Sequence, residues 1–280
     1  MSESGFHDIA RAIQGVSGLV LAPEQDYLLE TRLGPVLRRH GLADLPALAR
    51  RLRTPGNAAL AREAALATAT HETSFFRDEA PFLHLARALP RLAAARPPQA
   101  KLRFWSAACS SGQEAYSLAM LAEEQRHQLG GRAVEILGTD LSPTVLERAR
   151  QAHYSSFEVR RGLSEARLAR CFEAEADGYR LRPALRALCR FEQANMVEEP
   201  GVAGPFDVIL LRNLLIYLDV PTKERVVEHC ARRLAPEGVL YLGAAEVLLS
   251  LRTRMAPLPG CHGAYRLDTP TARAFWEAAA

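Results

Sequence analysis

Four short apolar runs in the second half of the chain restrict its fold more than any other feature. They are LRFWSAA at 102–108, VEILGTD at 134–140, FDVILLRN at 206–213 and GVLYLGA at 238–244. Apolar residues fill them almost continuously, as in strands buried on both faces of a parallel sheet. Helical segments separate them: QEAYSLAMLAEEQR, SPTVLERARQA, where Ser142 and Pro143 make an N-cap and first-turn start, and TKERVVEHCARRLAPEG. That alternation predicts a doubly wound α/β domain.

The rest of the chain is organised around that domain. Residues 1–70 read as helices: one over 6–15, one through PEQDYLLETRLGPVLRRHG closing at Gly41, then LADLPALARRLR and NAALAREAALATAT. This gives an all-helical N-terminal domain at 1–70, a linker and connecting helix at 71–100, and an α/β domain at 101–280. Asp177-Gly178 is a hairpin signal, so a small antiparallel β-subdomain is expected as an insertion at about 168–194. The tail after Leu267 contains Phe275 and Trp276, and the sequence allows either a short helix or a loose end.

Composition excludes several classes. The five cysteines are scattered without a CxxC or His/Cys cluster, which argues for reduced thiols and against structural zinc. A net charge of +3 is too small to suggest nucleic acid. No apolar run is long enough to span a bilayer, and the N-terminal residues lack signal-peptide design, so a cytoplasmic location is expected.

The chemistry gathers at strand ends. The first strand runs into W105-S-A-A-C-S-S-G-Q-E114, where small residues, a glycine and a helix start allow a ligand close approach. It lacks the full G-x-G-x-x-G of a dinucleotide site. The second strand ends at Asp140, an acid placed either to accept from both ribose hydroxyls of an adenosine or to cap the next helix. A glycine turn without a phosphate cradle, with a ribose-binding acid, fits S-adenosylmethionine better than NAD. Arg212, Asn213 and Tyr217, at the end of FDVILLRNLLIYLD, are expected at the same crevice.

Together these segments resemble the CheR-type chemotaxis receptor methyltransferases. The resemblance is carried by T73-S-F-F-R77, F104-W-S-A-A-C-S-S-G-Q-E-A-Y-S-L-A119, G138-T-D-L-S142, F206-D-V-I-L-L-R-N-L-L-I-Y-L-D219 and G238-V-L-Y-L-G243, in order along essentially the whole chain. It implies a protein-glutamate O-methyltransferase that moves a methyl group from S-adenosyl-L-methionine to glutamates of chemoreceptor cytoplasmic helices, leaving S-adenosyl-L-homocysteine. It further implies a Rossmann-like methyltransferase domain with a β-subdomain insertion, behind an all-α N-terminal domain.

Residue by residue, the resemblance makes His71, Thr73 and Arg77 cofactor contacts, in a segment that closes over the ligand. Gly112 forms the turn, Glu114 holds the methionine portion and Asp140 the ribose. Asn195 and Met196 flank the adenine, Asn213 and Leu214 complete the pocket, and Arg77, Arg212 and Tyr217 lie close to methyl transfer. The chain departs from the family pattern at three places. His71 replaces asparagine, Gly112-Gln-Glu-Ala-Tyr116 replaces Gly-Glu-Glu-Pro-Tyr, and Gly243-Ala-Ala-Glu246 lacks the usual serine hydroxyl.

Several alternatives stay open at this level. His71 is a cofactor contact or a solvent-facing loop residue. Phe75 and Phe76 cover the cofactor or seal a domain junction. Arg32, Arg38, Arg39, Arg50, Arg51 and Arg53 form a solvated face or a docking surface for acidic receptor helices. The hairpin EAEADGYRL looks short, which favours the type that needs no receptor C-terminal peptide. The chain is expected to act as a monomer, with no metal, nucleic acid or membrane insertion. A weakly active or inactive S-adenosylmethionine/S-adenosylhomocysteine-binding module that docks on receptors is the alternative function.

Overall fold

The computed structural model describes residues 3–22 and 26–278, so the first three residues of the expected second helix (23–25) and the last two of the chain lie outside it. The chain forms two compact units: Met1–Thr70 with Leu215–Arg225, and His71–Leu214 with Val226–Ala280.

The first unit contains helices α1 (Glu3–Ser17), α2 (Asp26–Arg39), α3 (Leu45–Arg53) and α4 (Ala58–Thr68). Asp44 caps α3 by accepting the Ala47 N–H at 2.7 Å, which satisfies one of the donors a helix start leaves unpaired. Apolar positions spaced for one helix face bury Phe6, Ile9 and Ile13 from α1 against Leu29, Leu33, Leu48 and Ala64. The segment 215–225 returns here: the Val20 N–H donates to the Tyr217 carbonyl at 2.8 Å, and Gln14 donates to Asp219 at 3.0 Å.

The second unit begins with the segment at 71–78 and α5 (Ala80–Ala94). The expected connector at 71–100 is thus built into this unit, where α5 buries Phe82, Leu85, Leu89 and Leu92 in its core. There follow β1 (Leu102–Ala107), α6 (Gln113–Glu124), β2 (Val134–Asp140) and α7 (Pro143–Gln151). A three-stranded sheet comes next, from β3 (His153–Tyr154), β4 (Phe172–Glu175) and β5 (Gly178–Leu181), with α8 (Ser156–Arg160) and α9 (Glu165–Cys171) between its strands. Then come α10 (Pro183–Arg186), β6 (Cys189–Gln193), β7 (Phe206–Leu211), α11 (Val220–Arg233), whose residues from Val226 on belong to this unit, β8 (Leu234–Leu242), β9 (Met255–Pro257), β10 (Ala264–Leu267) and α12 (Pro270–Glu277).

The large sheet has the order β6-β2-β1-β7-β8-β10-β9, with the first five strands parallel and the last two antiparallel additions. Strands β1, β2, β7 and β8 are the four apolar runs of the sequence. Because β1 pairs with β2 on one side and β7 on the other, the strand order reverses there, and the crevice beyond their carboxyl ends is where open α/β sheets bind ligands.

Two local readings differ in detail, and a third, left open, is decided. The small sheet is drawn from 153–154 and 172–181, whereas 189–193 joins the large sheet beside β2, so the inserted element begins earlier and ends sooner than 168–194. LAPEG, read as the end of a helix, is instead the start of β8. The tail is helical: Thr269 caps α12, and Phe275 and Trp276 pack on the core of this unit.

Candidate active site

The β1–α6 turn is built by backbone conformations few residues adopt. Ala108, Ser110 and Gly112 all have positive φ, at 64°, 51° and 91°. At Gly112 glycine is required twice over, because a Cβ there would sit 2.9 Å from the Cβ of Ala149 on α7. Such strain persists only where surrounding structure over-determines it, and it concentrates at functional sites.

Asp140, at the tip of β2, holds that turn. Its Oδ2 accepts the Ser110 N–H at 2.9 Å and its Oδ1 accepts the Ser142 N–H at 2.9 Å. The Ser142 N–H lies ahead of the first turn of α7, so this bond fixes the β2–α7 loop rather than capping the helix, and Ser142 makes no side-chain cap of its own. An ionised carboxylate offers about four acceptor positions, so two backbone bonds leave capacity for a ligand. Burial pushes the Asp140 carboxyl up, and the Ser142 N–H, the nearby His71 ring and the Ser110 N–H pull it back. Asn195 and Met196 follow β6 beside this acid, tied to it by the Ala194 N–H donating to the Asp140 carbonyl at 3.0 Å.

Glu114, in the first turn of α6, is buried at the end of β1. Its Oε1 accepts the Ser106 hydroxyl at 2.7 Å, and its Oε2 accepts Nη1 of Arg212 at 3.0 Å. Burial raises the Glu114 carboxyl, and the Arg212 guanidinium followed by the Ser106 hydroxyl opposes that rise. The acid is also next to the positive N-terminal end of a helix, which favours the charged form.

Arg212 follows β7 and is the hub of the site, its side chain only 2% exposed. Besides Glu114, its Nη2 donates to the Arg77 carbonyl at 2.7 Å and to Asp78 at 2.8 Å. Among the described residues its Nε is buried without a hydrogen-bond partner. Arg212 was expected near the transferring methyl; the geometry gives it two acids and a main-chain oxygen to hold.

The segment HETSFFRD wraps onto this constellation within the same unit. Ser110 Oγ donates to the His71 carbonyl at 2.8 Å, and the Phe76 N–H donates to Ser117 on α6 at 2.9 Å. Phe75 packs edge-on against Tyr154 and Phe172, at 5.0 and 5.5 Å between centroids, whereas Phe76 meets Phe82 at 5.1 Å and lies under the guanidinium of Arg167 at 3.8 Å. Both rings belong to the core of the second unit rather than to the helical core, which settles how adjacent aromatics can both be buried. A φ of 47° at Phe76 is the kink that sends them apart. Thr73 is half-buried. Arg77 points its guanidinium at the Glu72 carbonyl, 2.9 Å away.

Asn213 and Leu214 sit at the end of β7, half-buried, with Asn213 at a φ of 58°. Tyr217 belongs to the first unit, in a 3-10 turn over Leu215–Tyr217. The expected site residues of the second unit thus gather around the tips of β1, β2, β6 and β7. Sequence reasoning missed Ser106, Asp78, Ser110 and Glu246, each of which fixes an expected residue. Only Asp78 carried a signal, as the acid beside Arg77. Burial, then the neighbouring Asp140 and Glu114 carboxylates, push the Cys109 thiol well up, which disfavours the nucleophilic thiolate.

Comparison with known proteins gives this geometry a family. A family model described as CheR methyltransferase, SAM binding domain, matches residues 71–263, and one described as CheR methyltransferase, all-alpha domain, matches residues 4–65. The chain belongs to the CheR methyltransferase family. It is 35% identical over 251 residues to the chemotaxis protein methyltransferase Cher2 of Pseudomonas putida, covering 88% of this chain and 91% of that protein. It is 36% identical to a chemotaxis protein methyltransferase of Vibrio anguillarum, over 90% of this chain and 92% of the relative. Chemotaxis protein methyltransferase 1 of Pseudomonas aeruginosa is 37% identical over 85% of this chain and 88% of its own length.

As a CheR methyltransferase, the chain uses S-adenosylmethionine, and its residues fit that cofactor. A buried carboxylate at Glu114 suits an amino group, and Asp140 retains acceptor capacity for hydroxyls. Among the described residues no helix is long and apolar enough to cross a membrane.

Proposed function

We propose that this chain methylates glutamate side-chain carboxylates on the cytoplasmic helices of chemoreceptors, acting as a cytoplasmic monomer in sensory adaptation. Family membership supports the reaction class, and the observation that carries the reading is the Arg212-centred clamp on Glu114 and on the HETSFFRD backbone.

In this reading Glu114 takes the amino group of the methionine portion, Asp140 the ribose hydroxyls, and Asn195 and Met196 the adenine. Asn213 and Leu214 complete the pocket, while His71, Thr73 and Arg77 close it. When bound, S-adenosylmethionine supplies a methyl group activated by its positive sulfur. A substrate glutamate has an intrinsic pKa near ~4.3 and is already ionised at neutral pH, so it needs no general base. The protein's task is alignment and exclusion of water. Arg77, Arg212 and Tyr217 guide the substrate carboxylate in this scheme without transferring protons, Arg212 also holding Glu114. The hairpin, with strands of four residues at Phe172–Glu175 and Gly178–Leu181, favours docking that needs no receptor C-terminal peptide.

The test is transfer of labelled methyl from S-adenosylmethionine to receptor cytoplasmic fragments. Label released as methanol under mild base is expected from a glutamyl ester. Tight cofactor binding with no label on any receptor would overturn the reading.

A further inference from the structure

Glu246 has no assigned part in the site, and the structure gives it an unusual one. It lies just past β8 with only 2% of its surface exposed. Its Oε2 accepts two main-chain donors at once, the Asn213 N–H at 2.8 Å and the Gly243 N–H at 2.7 Å. The Glu246 N–H donates back to the Gly243 carbonyl at 2.9 Å, closing a tight turn. One carboxylate oxygen therefore joins the ends of two parallel strands, β7 and β8.

What it holds is strained. Asn213 has a φ of 58°, a left-handed conformation that even asparagine adopts as an exception. Gly243 permits the approach: a Cβ there would lie 2.8 Å from Glu246 Oε2, 2.9 Å from Asn213 Nδ2 and 3.0 Å from the Asn213 nitrogen. Buried N–H groups need partners, and a strained residue needs its conformation fixed from outside. The Glu246 carboxylate also raises the Glu114 carboxyl slightly, so it acts within the same electrostatic site.

We infer that Glu246 is a positioning residue for the cofactor pocket, holding the Asn213 main chain in the conformation that presents Asn213 and Leu214 to the ligand. The inference rests on the placement of Asn213 and Leu214 against the cofactor given above. The acid makes the two bonds that tie the strand ends.

Calorimetric titration of the full chain with S-adenosylhomocysteine tests this without requiring turnover. Glu246→Gln keeps an acceptor oxygen at full reach and is expected to bind within about threefold of wild type. Glu246→Asp keeps the charge but is one methylene short, and Glu246→Ala has no acceptor. Both should bind roughly ten- to a hundredfold more weakly, the loss expected when buried donors go unpaired. Should Glu246→Ala fail to fold, the Asp and Gln variants still separate reach from charge. A matching kinetic signature is a raised KM for S-adenosylmethionine with an unchanged KM for the protein substrate. Full affinity in Glu246→Ala or Glu246→Asp, or a loss in Glu246→Gln as large as in Glu246→Asp, would overturn the assignment. If wild type itself binds no S-adenosylhomocysteine, the cofactor reading fails first and the role of Glu246 falls with it.

Discussion

The α/β unit buries arginine, whereas no described arginine of the helical unit is buried. In the helical unit Arg38, Arg39, Arg50, Arg51 and Arg53 are exposed, and where they pair, as Arg39 with Glu63 or Arg53 with Asp8, both arginines remain more than half exposed. In the α/β unit Arg212 is buried and Arg96 nearly so, the latter donating to Asp207 at 2.5 Å and Glu237 at 2.8 Å. Solvated pairs lose little when broken, because water replaces the partner. A buried pair costs desolvation to form and leaves an uncompensated charge when one member is removed. Arginine is thus a surface charge at these helical positions and a fixed joint at Arg212 and Arg96, while other arginines of the α/β unit, such as Arg170 and Arg254, are as exposed as the helical ones.

The largest expected effect comes from breaking that joint. Arg212→Ala should destabilise the protein by about 3–5 kcal/mol, because it strands the buried Glu114 carboxylate, and should abolish S-adenosylhomocysteine binding. Urea unfolding measures the first effect and calorimetry the second. A loss under about 1 kcal/mol would mean that Arg212 behaves like the helical arginines. Next in size is Gly112→Ala, which combines a positive φ with a contact no Cβ makes, for a cost of about 1–3 kcal/mol by the same unfolding measurement.

A smaller effect separates the units by pH. Burial raises the Glu114 carboxyl above its ordinary range. For an acid shifted upward, the ionised folded form carries a penalty that disappears as pH falls below the unfolded value. Ligand capture, however, requires the ionised form. Affinity for S-adenosylhomocysteine should therefore begin to fall at a higher pH than an ordinary carboxylate would allow, and Glu114→Gln should bind weakly but without that acid limb. The smallest effect is expected from Arg39→Ala or Arg53→Ala, each changing stability by less than ~1 kcal/mol. If these residues dock acidic receptor helices, methyl transfer to receptor fragments will slow at low salt and the difference will fade as salt rises.

The same contrast explains what could be read from sequence. The strands β1, β2, β7 and β8 were legible because they are apolar on both faces, and Gly112, Glu114 and Asp140 because they follow strand ends directly. β6 was not assigned to the large sheet, since CRFEQ is half exposed and resembles a strand of a small antiparallel sheet. The left-handed residues Phe76, Ala108 and Ser110 carry no compositional signal, and only the fold forces them into that region, whereas asparagine at 213 is a residue type enriched there. Ser106 and Glu246 escaped notice because their partners are chosen by chain geometry: Glu246 meets Asn213 across 33 residues of sequence. The T73-S-F-F-R77 run was legible as a segment closing over the ligand, but the separation of its two rings by one main-chain kink was not.

The central claim is that the tips of β1 and β2 hold S-adenosylmethionine, with Asp140 on the ribose. Calorimetry of S-adenosylhomocysteine with wild type and Asp140→Ala tests it most directly. Loss of a charged acceptor is worth about 1.5–3 kcal/mol, so the variant should bind at least tenfold more weakly. Equal affinity would contradict the placement.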